Sequence, residues 1–328
     1  MSKKVVITGG GGFIGAYLVK KLVHDGWDVS VIDNMMRGDT SRFDSVADHV
    51  QLHNIDVRDE TAVTHAVAGS EVVMHLAAIN GTENFYKRPD LVLDVGVRGA
   101  LAVTNACKRA EVPDLVVASS AEVYQTPLNV PTSEDVALML PDSLNPRYSY
   151  GGSKLISELI AFNYGKDHFR KVQVFRPHNV YGPDMGWKHV IPEFIMRLKK
   201  SVSEAKNAAS FPIQGDGTET RAFAYVDDVV DGILTMYESG AHREIYHIGN
   251  DEEVSINVLI ESLSKIMDCE VNVLPSPAAI GGTPRRCPDI SKIRALGYRP
   301  QVPLAEGLKK TCEWYLTNSE RSITNELA

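Results

Sequence analysis

Thr8-Gly9-Gly10-Gly11-Gly12-Phe13-Ile14-Gly15 joins a short apolar run at residues 4–8 to a helical stripe of Ile14, Leu18 and Leu22. Gly9, Gly12 and Gly15 form a G-x-x-G-x-x-G pattern. A glycine-rich turn alone signifies little, since any tight turn can use one. Set between a strand and a helix, it lets backbone approach a pyrophosphate at the helix amino terminus, where free N–H groups and the helix dipole favour anions. The next strand pattern ends at Asp33, close to the spacing at which a carboxylate receives the adenosine ribose hydroxyls of a dinucleotide. A carboxylate there repels a 2′-phosphate, which favours NAD over NADP, while Arg37 four residues on pulls the other way. Asp56, closing the third strand pattern, either accepts from an adenine amino group or caps its own loop. Phe13, Ile14, Asn34 and Val57 flank these positions and belong to the same expected cofactor contact.

Outside the loop, short β-branched runs alternate with longer helical patterns, which is how a parallel sheet with crossover helices reads. Strands are expected at residues 4–8, 29–33, 50–55, 72–76, 115–119 and 172–176, with helical stripes such as Val97, Ala100 and Leu101 between them. Near-continuous apolar strands such as Val72-Val73-Met74 imply burial on both sheet faces. The expected fold is α/β, a Rossmann-type doubly wound parallel sheet with a smaller carboxy-terminal substrate-binding region. Residues 1–178 are expected to form the NAD-binding domain. Residues 179–328 form the substrate region, with a strand-like run at Glu244–Ile248 returning to the main sheet. Residues 199–210, polar and rich in Ala and Ser, read as a surface loop or frayed helix end, and residues 281–289 as coil with clustered arginines.

Composition narrows the partners. The 328 residues carry 34 basic and 42 acidic side chains, a formal charge of −8, with no basic block. Neither nucleic acid nor an anionic membrane is an expected partner, and an anionic substrate needs locally placed arginines. No apolar segment approaches the length of a membrane helix, and the amino-terminal run is too short for a secretory signal. Cys107, Cys269, Cys287 and Cys312 are widely spaced, which suits reduced thiols and a cytoplasmic protein without a metal site.

Tyr150-Gly151-Gly152-Ser153-Lys154 places Tyr150 and Lys154 one turn apart on a helix face. A lysine there can lower the phenol's pKa electrostatically and hold the nicotinamide ribose, leaving the tyrosine to exchange a proton with a substrate hydroxyl. Such a pair is common on helix surfaces. Here it accompanies the glycine loop and Ser119-Ser120-Ala121-Glu122-Val123-Tyr124 at the end of the fifth strand. His75-Leu76-Ala77-Ala78, Arg176-Pro177-His178-Asn179-Val180-Tyr181-Gly182-Pro183, Gly215-Asp216-Gly217 with Arg221, Tyr225-Val226-Asp227-Asp228, Arg285-Arg286-Cys287-Pro288-Asp289 and Leu296-Gly297-Tyr298 follow in order. Over nearly its whole length the chain resembles the extended short-chain dehydrogenase/reductases, in their NAD-dependent nucleotide-sugar epimerase, dehydratase and decarboxylase branch.

That resemblance implies roles. Tyr150 deprotonates the sugar's 4-hydroxyl, Lys154 tunes it, and Ser120 hydrogen-bonds the same oxygen, giving a 4-keto sugar with NAD as hydride acceptor. Leu76, Ala77 and Ala78 lie beside the cofactor. Asn179, Arg221 and Arg286 clamp the diphosphate, although a surface salt bridge is the plainer role for either arginine. His189 and Val190 belong to the substrate loop, with Lys188 beside them. A homodimer is implied, formed through the helix that carries Tyr150. Two departures stand out: Gly96 replaces the asparagine of the family's Asn-x-x-Gly-Thr helix, and Gln125 follows Tyr124 where glycine is common.

The reaction stays open between several outcomes of one 4-keto intermediate. Dehydratases of this branch carry Asp-Glu after the Ser/Thr, whereas this chain has Ala121-Glu122. Decarboxylases keep the Glu but place an arginine where His189 stands, and the loss of that arginine argues against a uronic acid substrate. The Arg-Pro-His-Asn-Val-Tyr-Gly-Pro run also resembles the GDP-mannose 3,5-epimerase group, which has a cysteine in place of Glu122. Epimerisation is the expected reaction, with Glu122 and His189 or Lys188 as auxiliary acid/base groups; the plainer roles are a loop-orienting carboxylate for Glu122 and substrate-loop residues for His189 and Lys188. Dehydration or decarboxylation is the alternative, and a non-catalytic NAD-binding regulator the distant one.

Overall fold

The computed structural model of the chain describes residues 2–204, 209–277 and 283–320. Its centre is a seven-stranded parallel sheet. Six of the strands are β1 (Lys4–Thr8), β2 (Asp28–Ile32), β3 (Val50–His53), β4 (Val72–His75), β5 (Asp114–Ala118) and β6 (Lys171–Pro177). Glu244–Ile248 adds the seventh beside β6, so the order runs from that strand through β6, β5, β4, β1 and β2 to β3. Chain order reverses between β1 and β4, and the crevice beyond their carboxyl ends is where such sheets bind ligands.

The eight helices that matter to the site are α1 (Phe13–His24), α2 (Glu60–Val67), α3 (Thr82–Lys87), α4 (Pro89–Leu93), α5 (Gly99–Arg109), α6 (Ser149–Tyr164), α7 (Val190–Glu204) and α8 (Val226–Ser239). Strand side chains alternate between the two faces. Val5, Ile7, Val29, Val31 and Met74 pack with Leu18 and Leu22 of α1 and with Val229 and Ile233 of α8. Val6, Ile32 and Val73 pack on the other face with α2, α5 and α6. A third cluster, built from Tyr181, Ile195, Leu198, Phe211, Leu259 and Leu308, forms the core of the carboxy-terminal region.

Two readings of that region are narrowed or changed. Of the two alternatives for the polar stretch from residue 199, the helix end fits and the loop does not, since α7 continues to Glu204 and a strand, Ala209–Gln214, starts soon after. Residues 205–208 lie outside the described part. Apolar residues at helical spacing, Ile195 and Leu198, anchor α7 against the third cluster and carry it through a polar tail. Within the expected coil, Arg285–Arg286 forms a short strand that pairs with Thr220–Ala222, Arg286 lying opposite Arg221. A two-residue strand has no period to read, so only the tertiary pairing reveals it. Gly281 and Gly282 fall outside the described residues.

Three histidines are buried without charge. Burial presses the pKa of His75 and of His247 down to about 3 and that of His178 well below its ordinary value. The folded pKa values lie below the unfolded one, so between pH 6.5 and 3 the unfolded chain binds protons that the native state refuses. Stability is therefore intact above pH 6.5 and declines on acidification through that window, by roughly 2 kcal/mol at pH 5 for each of His75 and His247, with His178 acting in the same direction. A melting temperature unchanged between pH 7.5 and pH 5 contradicts this.

Candidate active site

The site begins at the glycine loop. Gly12 caps α1 with no side-chain hydrogen bond and no acidic residue follows in the first turn, which leaves the helix amino terminus open to an anion. A Cβ at Gly15 would lie 2.2 Å from the Gly9 carbonyl oxygen, and one at Gly9 would lie 2.7 Å from the Ala77 nitrogen. These are backbone clashes, so glycine is what lets the loop, α1 and the end of β4 share this space. Asp33 fixes the turn by accepting 2.9 Å hydrogen bonds from the Gly11 and Met35 N–H groups.

Asp33, Asn34, Arg37, Asp56, Val57 and Ala77 line a recess of about 110 Å³ that adjoins the loop. Asp56 is already engaged: Arg58 donates to both its oxygens at 2.8 and 2.6 Å, and the Arg58 hydrogen bond lowers its pKa to about 2. From the recess opens a cleft of about 460 Å³, bordered by Gly12, Phe13, Ile14 and Gly15 at one end and by Ser120, Glu122, Tyr150 and Lys154 deeper in. The open helix terminus and the glycine cradle fit a dinucleotide laid across the switch point. Alanine at Gly15 forces the loop apart, and we expect Gly15→Ala to weaken NAD binding by at least about tenfold. Calorimetric affinity within twofold of the parent contradicts the cradle.

Tyr150 and Lys154 project from the first turns of α6, and both are buried. The Tyr150 ring stacks on Phe85 of α3, with centroids 5.1 Å apart and planes 14° from parallel. Burial pushes the Tyr150 phenol up to about 12, against a hydrogen bond with Ser120 and the charge of Arg37. Lys154 Nζ donates to the Ala118 carbonyl at 2.8 Å and lies 5.8 Å from the centre of the Tyr150 ring. Burial lowers the Lys154 pKa to about 8, with Glu158 acting the other way. In this state the phenol is thus not activated as the sequence suggested, because desolvation outweighs the charges nearby.

Ser120 caps a short turn, its oxygen accepting the Glu122 N–H at 3.1 Å, which turns the Glu122 carboxylate into the cleft. There Arg286 Nη1 donates to Glu122 Oε1 at 2.6 Å, and Arg147 Nη2 stands 3.8 Å from Oε2. Burial acts to raise the Glu122 pKa, but Arg286, Arg147 and Arg221 outweigh it and hold the carboxyl below its usual value.

The remaining candidates divide. Asn179, Lys188, His189 and Arg286 border the cleft. Asn179 is held with φ at +40°, its Nδ2 donating to the Ala222 carbonyl at 3.1 Å. Arg221 sits beside Arg286 across the short strand pair, with one guanidinium nitrogen donating to the Thr220 carbonyl. Val190 opens α7 and packs toward the third core cluster rather than into the cleft. Gly96, in place of the family's asparagine, lies in a π-helical stretch between α4 and α5. A Cβ there would meet Ser153 Oγ at 2.6 Å, so α6 packs closer than a larger residue permits.

Arg147 was not apparent from the sequence. Its only local signal is Asn145-Pro146, whose asparagine accepts the Arg147 N–H and starts the turn that precedes α6. Phe85 was equally hidden as a wall of the cleft. Lys188, expected in the substrate loop, does border the cleft, and its ammonium pairs with Glu83 of α3 across the mouth.

Residues 5–249 match the model of the NAD dependent epimerase/dehydratase family. The chain belongs to that family. NAD is accordingly its cofactor, and the seven-stranded sheet is the fold of the family's solved members. Among curated relatives, UDP-glucuronic acid decarboxylase 1 of Danio rerio is 30% identical over 327 residues, covering 99% of this chain and 75% of its own. A putative UDP-glucose 4-epimerase of Methanocaldococcus jannaschii is 30% identical, covering 96% of this chain and 99% of its own. The dTDP-glucose 4,6-dehydratase DesIV of Streptomyces venezuelae, solved with NAD bound, superposes with a TM-score of 0.85 at 27% identity, over 97% of this chain and 98% of that one. Family members thus include epimerases, dehydratases and decarboxylases. Among the described residues no helix is long and apolar enough to cross a membrane.

Proposed function

We propose that the chain is an NAD-dependent nucleotide-sugar epimerase that works through transient oxidation at C4 to a 4-keto sugar. The observation that carries this reading is the convergence of buried Tyr150 and Lys154 and half-buried Ser120 on a cleft continuous with the dinucleotide cradle. Residues 1–178 hold NAD, with Gly9, Gly12, Phe13, Ile14 and Gly15 under the pyrophosphate, Asp33, Asn34, Arg37, Asp56 and Val57 around the adenosine, and Leu76, Ala77 and Ala78 lining the way to the nicotinamide. The chemistry NAD supplies when bound is reversible acceptance of a hydride. Residues 179–328 hold the nucleotide-sugar: Asn179, Arg221 and Arg286 meet the diphosphate, and His189 belongs to the sugar loop.

Tyr150 Oη takes the proton of the 4-hydroxyl and later returns it, while Ser120 holds the same oxygen. A phenol near 12 needs a cation close by to act at neutral pH. Lys154, one turn along α6, is that cation and is still mostly protonated at pH 7. Glu122, kept as a carboxylate by its arginines, is the base for a proton beside the ketone.

The position of Glu122 also supports a second reading, in which the same 4-keto sugar loses carbon dioxide or water and the enzyme is a lyase. Incubating the purified protein with a panel of nucleotide-sugars and weighing the products separates them. A product of unchanged mass supports the epimerase, loss of carbon dioxide or water supports the lyase, and binding without turnover sinks both.

Ile156, Leu159 and Tyr164 are exposed along α6. We take this face to pair with that of a second copy, giving a homodimer; sedimentation showing only a monomer at micromolar concentration overturns this.

A further inference from the structure

We propose that Arg147 recognises an anionic substituent on the sugar, a carboxylate at C6, so that the preferred substrates are nucleotide-linked uronic acids. The inference rests on the reading of the cleft as a nucleotide-sugar site and names the class of sugar.

Six cationic side chains border the cleft. Arg37 donates to the Asn80 carbonyl, and Arg42 to Asp184 and the Gly11 carbonyl. Lys154 donates to the Ala118 carbonyl, Lys188 pairs with Glu83, and Arg286 holds Glu122. Among the described residues the Arg147 guanidinium donates no hydrogen bond, and its nearest carboxylate oxygen, Glu122 Oε2, is 3.8 Å away. Its side chain is only 26% exposed. A half-buried guanidinium with five donors and no acceptor is costly unless a ligand completes it.

The location selects the ligand. Arg147 stands three residues before Tyr150, on the turn that leads into α6, at the reacting end of the cleft. It flanks one oxygen of Glu122 while Arg286 takes the other. Arg286 lies on the strand pair with Arg221, where the diphosphate is placed, which leaves Arg147 to the sugar. One carboxylate between two arginines leaves a net positive charge there. A planar carboxylate two bonds from the oxidised carbon matches the fork of a guanidinium, which a neutral hydroxymethyl does not.

Calorimetric titration of the NAD-loaded protein with UDP-glucuronate and UDP-glucose tests this without turnover. We expect the acid to bind the parent at least about tenfold tighter. Arg147→Met should bring the ratio of the two affinities close to one, and Arg147→Lys, which keeps the charge without the fork, should fall between. A thermal melt checks that both variants fold. A parent that binds the acid no tighter than the neutral sugar, or binds neither, overturns the proposal, as does a preference that survives in Arg147→Met. The two claims fail separately: preference without turnover sinks the enzymatic reading alone, and turnover without preference sinks the role of Arg147 alone.

Discussion

Tyr150→Phe lowers kcat by about 10³-fold while leaving NAD bound. The substitution removes one oxygen. The ring that stacks on Phe85 stays, as does the buried apolar surface around it, so the fold and the cofactor cradle have no reason to change. What disappears is the group that takes the proton from the 4-hydroxyl, and Ser120 cannot replace it because a serine hydroxyl is a far weaker acid than a phenol. Lys154 loses its electrostatic purpose as well, so at saturating NAD, where its hold on the nicotinamide ribose is not limiting, the double variant Tyr150→Phe/Lys154→Met should be little worse than Tyr150→Phe alone. Single-turnover rates on the substrate identified from the panel provide the check. A loss smaller than about tenfold removes Tyr150 from the role given to it.

Arg176→Met costs stability rather than chemistry, by about 3–5 kcal/mol. Arg176 is 2% exposed, at the end of β6. Its Nε and Nη2 donate to the two oxygens of Glu158 at 2.8 and 2.6 Å, and Nη1 donates to the Tyr124 hydroxyl and to the Glu134 carbonyl. Ser119 also donates to Glu158, and the Tyr124 hydroxyl meets His247 Nε2 at 2.6 Å. Removing the guanidinium strands a carboxylate in the interior and opens a network that ties β5, β6, α6 and the strand Glu244–Ile248 together. Methionine keeps most of the volume, so the loss reports the charge and not a cavity. Urea unfolding monitored by circular dichroism measures it, and a change below about 1 kcal/mol shows that Glu158 finds other partners.

What was legible in the sequence is what local patterns encode. The central strands β1, β4 and β5 read easily because they are buried on both faces and therefore nearly continuous in apolar residues, chiefly valine. The cradle read easily because its glycines answer a local steric demand, visible in the 2.2 Å approach that a Cβ at Gly15 would make. That Tyr150 and Lys154 share a face follows from the period of one helix, while their role rests on the family resemblance. The pairing of Glu122 with Arg286 spans 164 positions, and no local signal announces it. Arg147 and Phe85 reach the cleft from the turn before α6 and from the short α3, elements too brief to carry a period. Val190, assigned to the substrate by its neighbours, instead packs toward the core of the carboxy-terminal region, because α7 is already turning there. The short strand of Arg285–Arg286 exists only through its partner, and the partner lies 65 positions away, Arg285 against Thr220 and Arg286 against Arg221.

Oxidation at C4 is the step on which every reading of the site depends, and an isotope in that position follows it most directly. The measurement is rapid acid quenching of the NAD-loaded protein turning over a nucleotide-sugar deuterated at C4, with mass analysis of the recovered nicotinamide and of the product sugar. We expect deuterium on the nicotinamide during turnover and back at C4 in the released sugar. Product that forms while the nicotinamide stays unlabelled contradicts transient oxidation at C4.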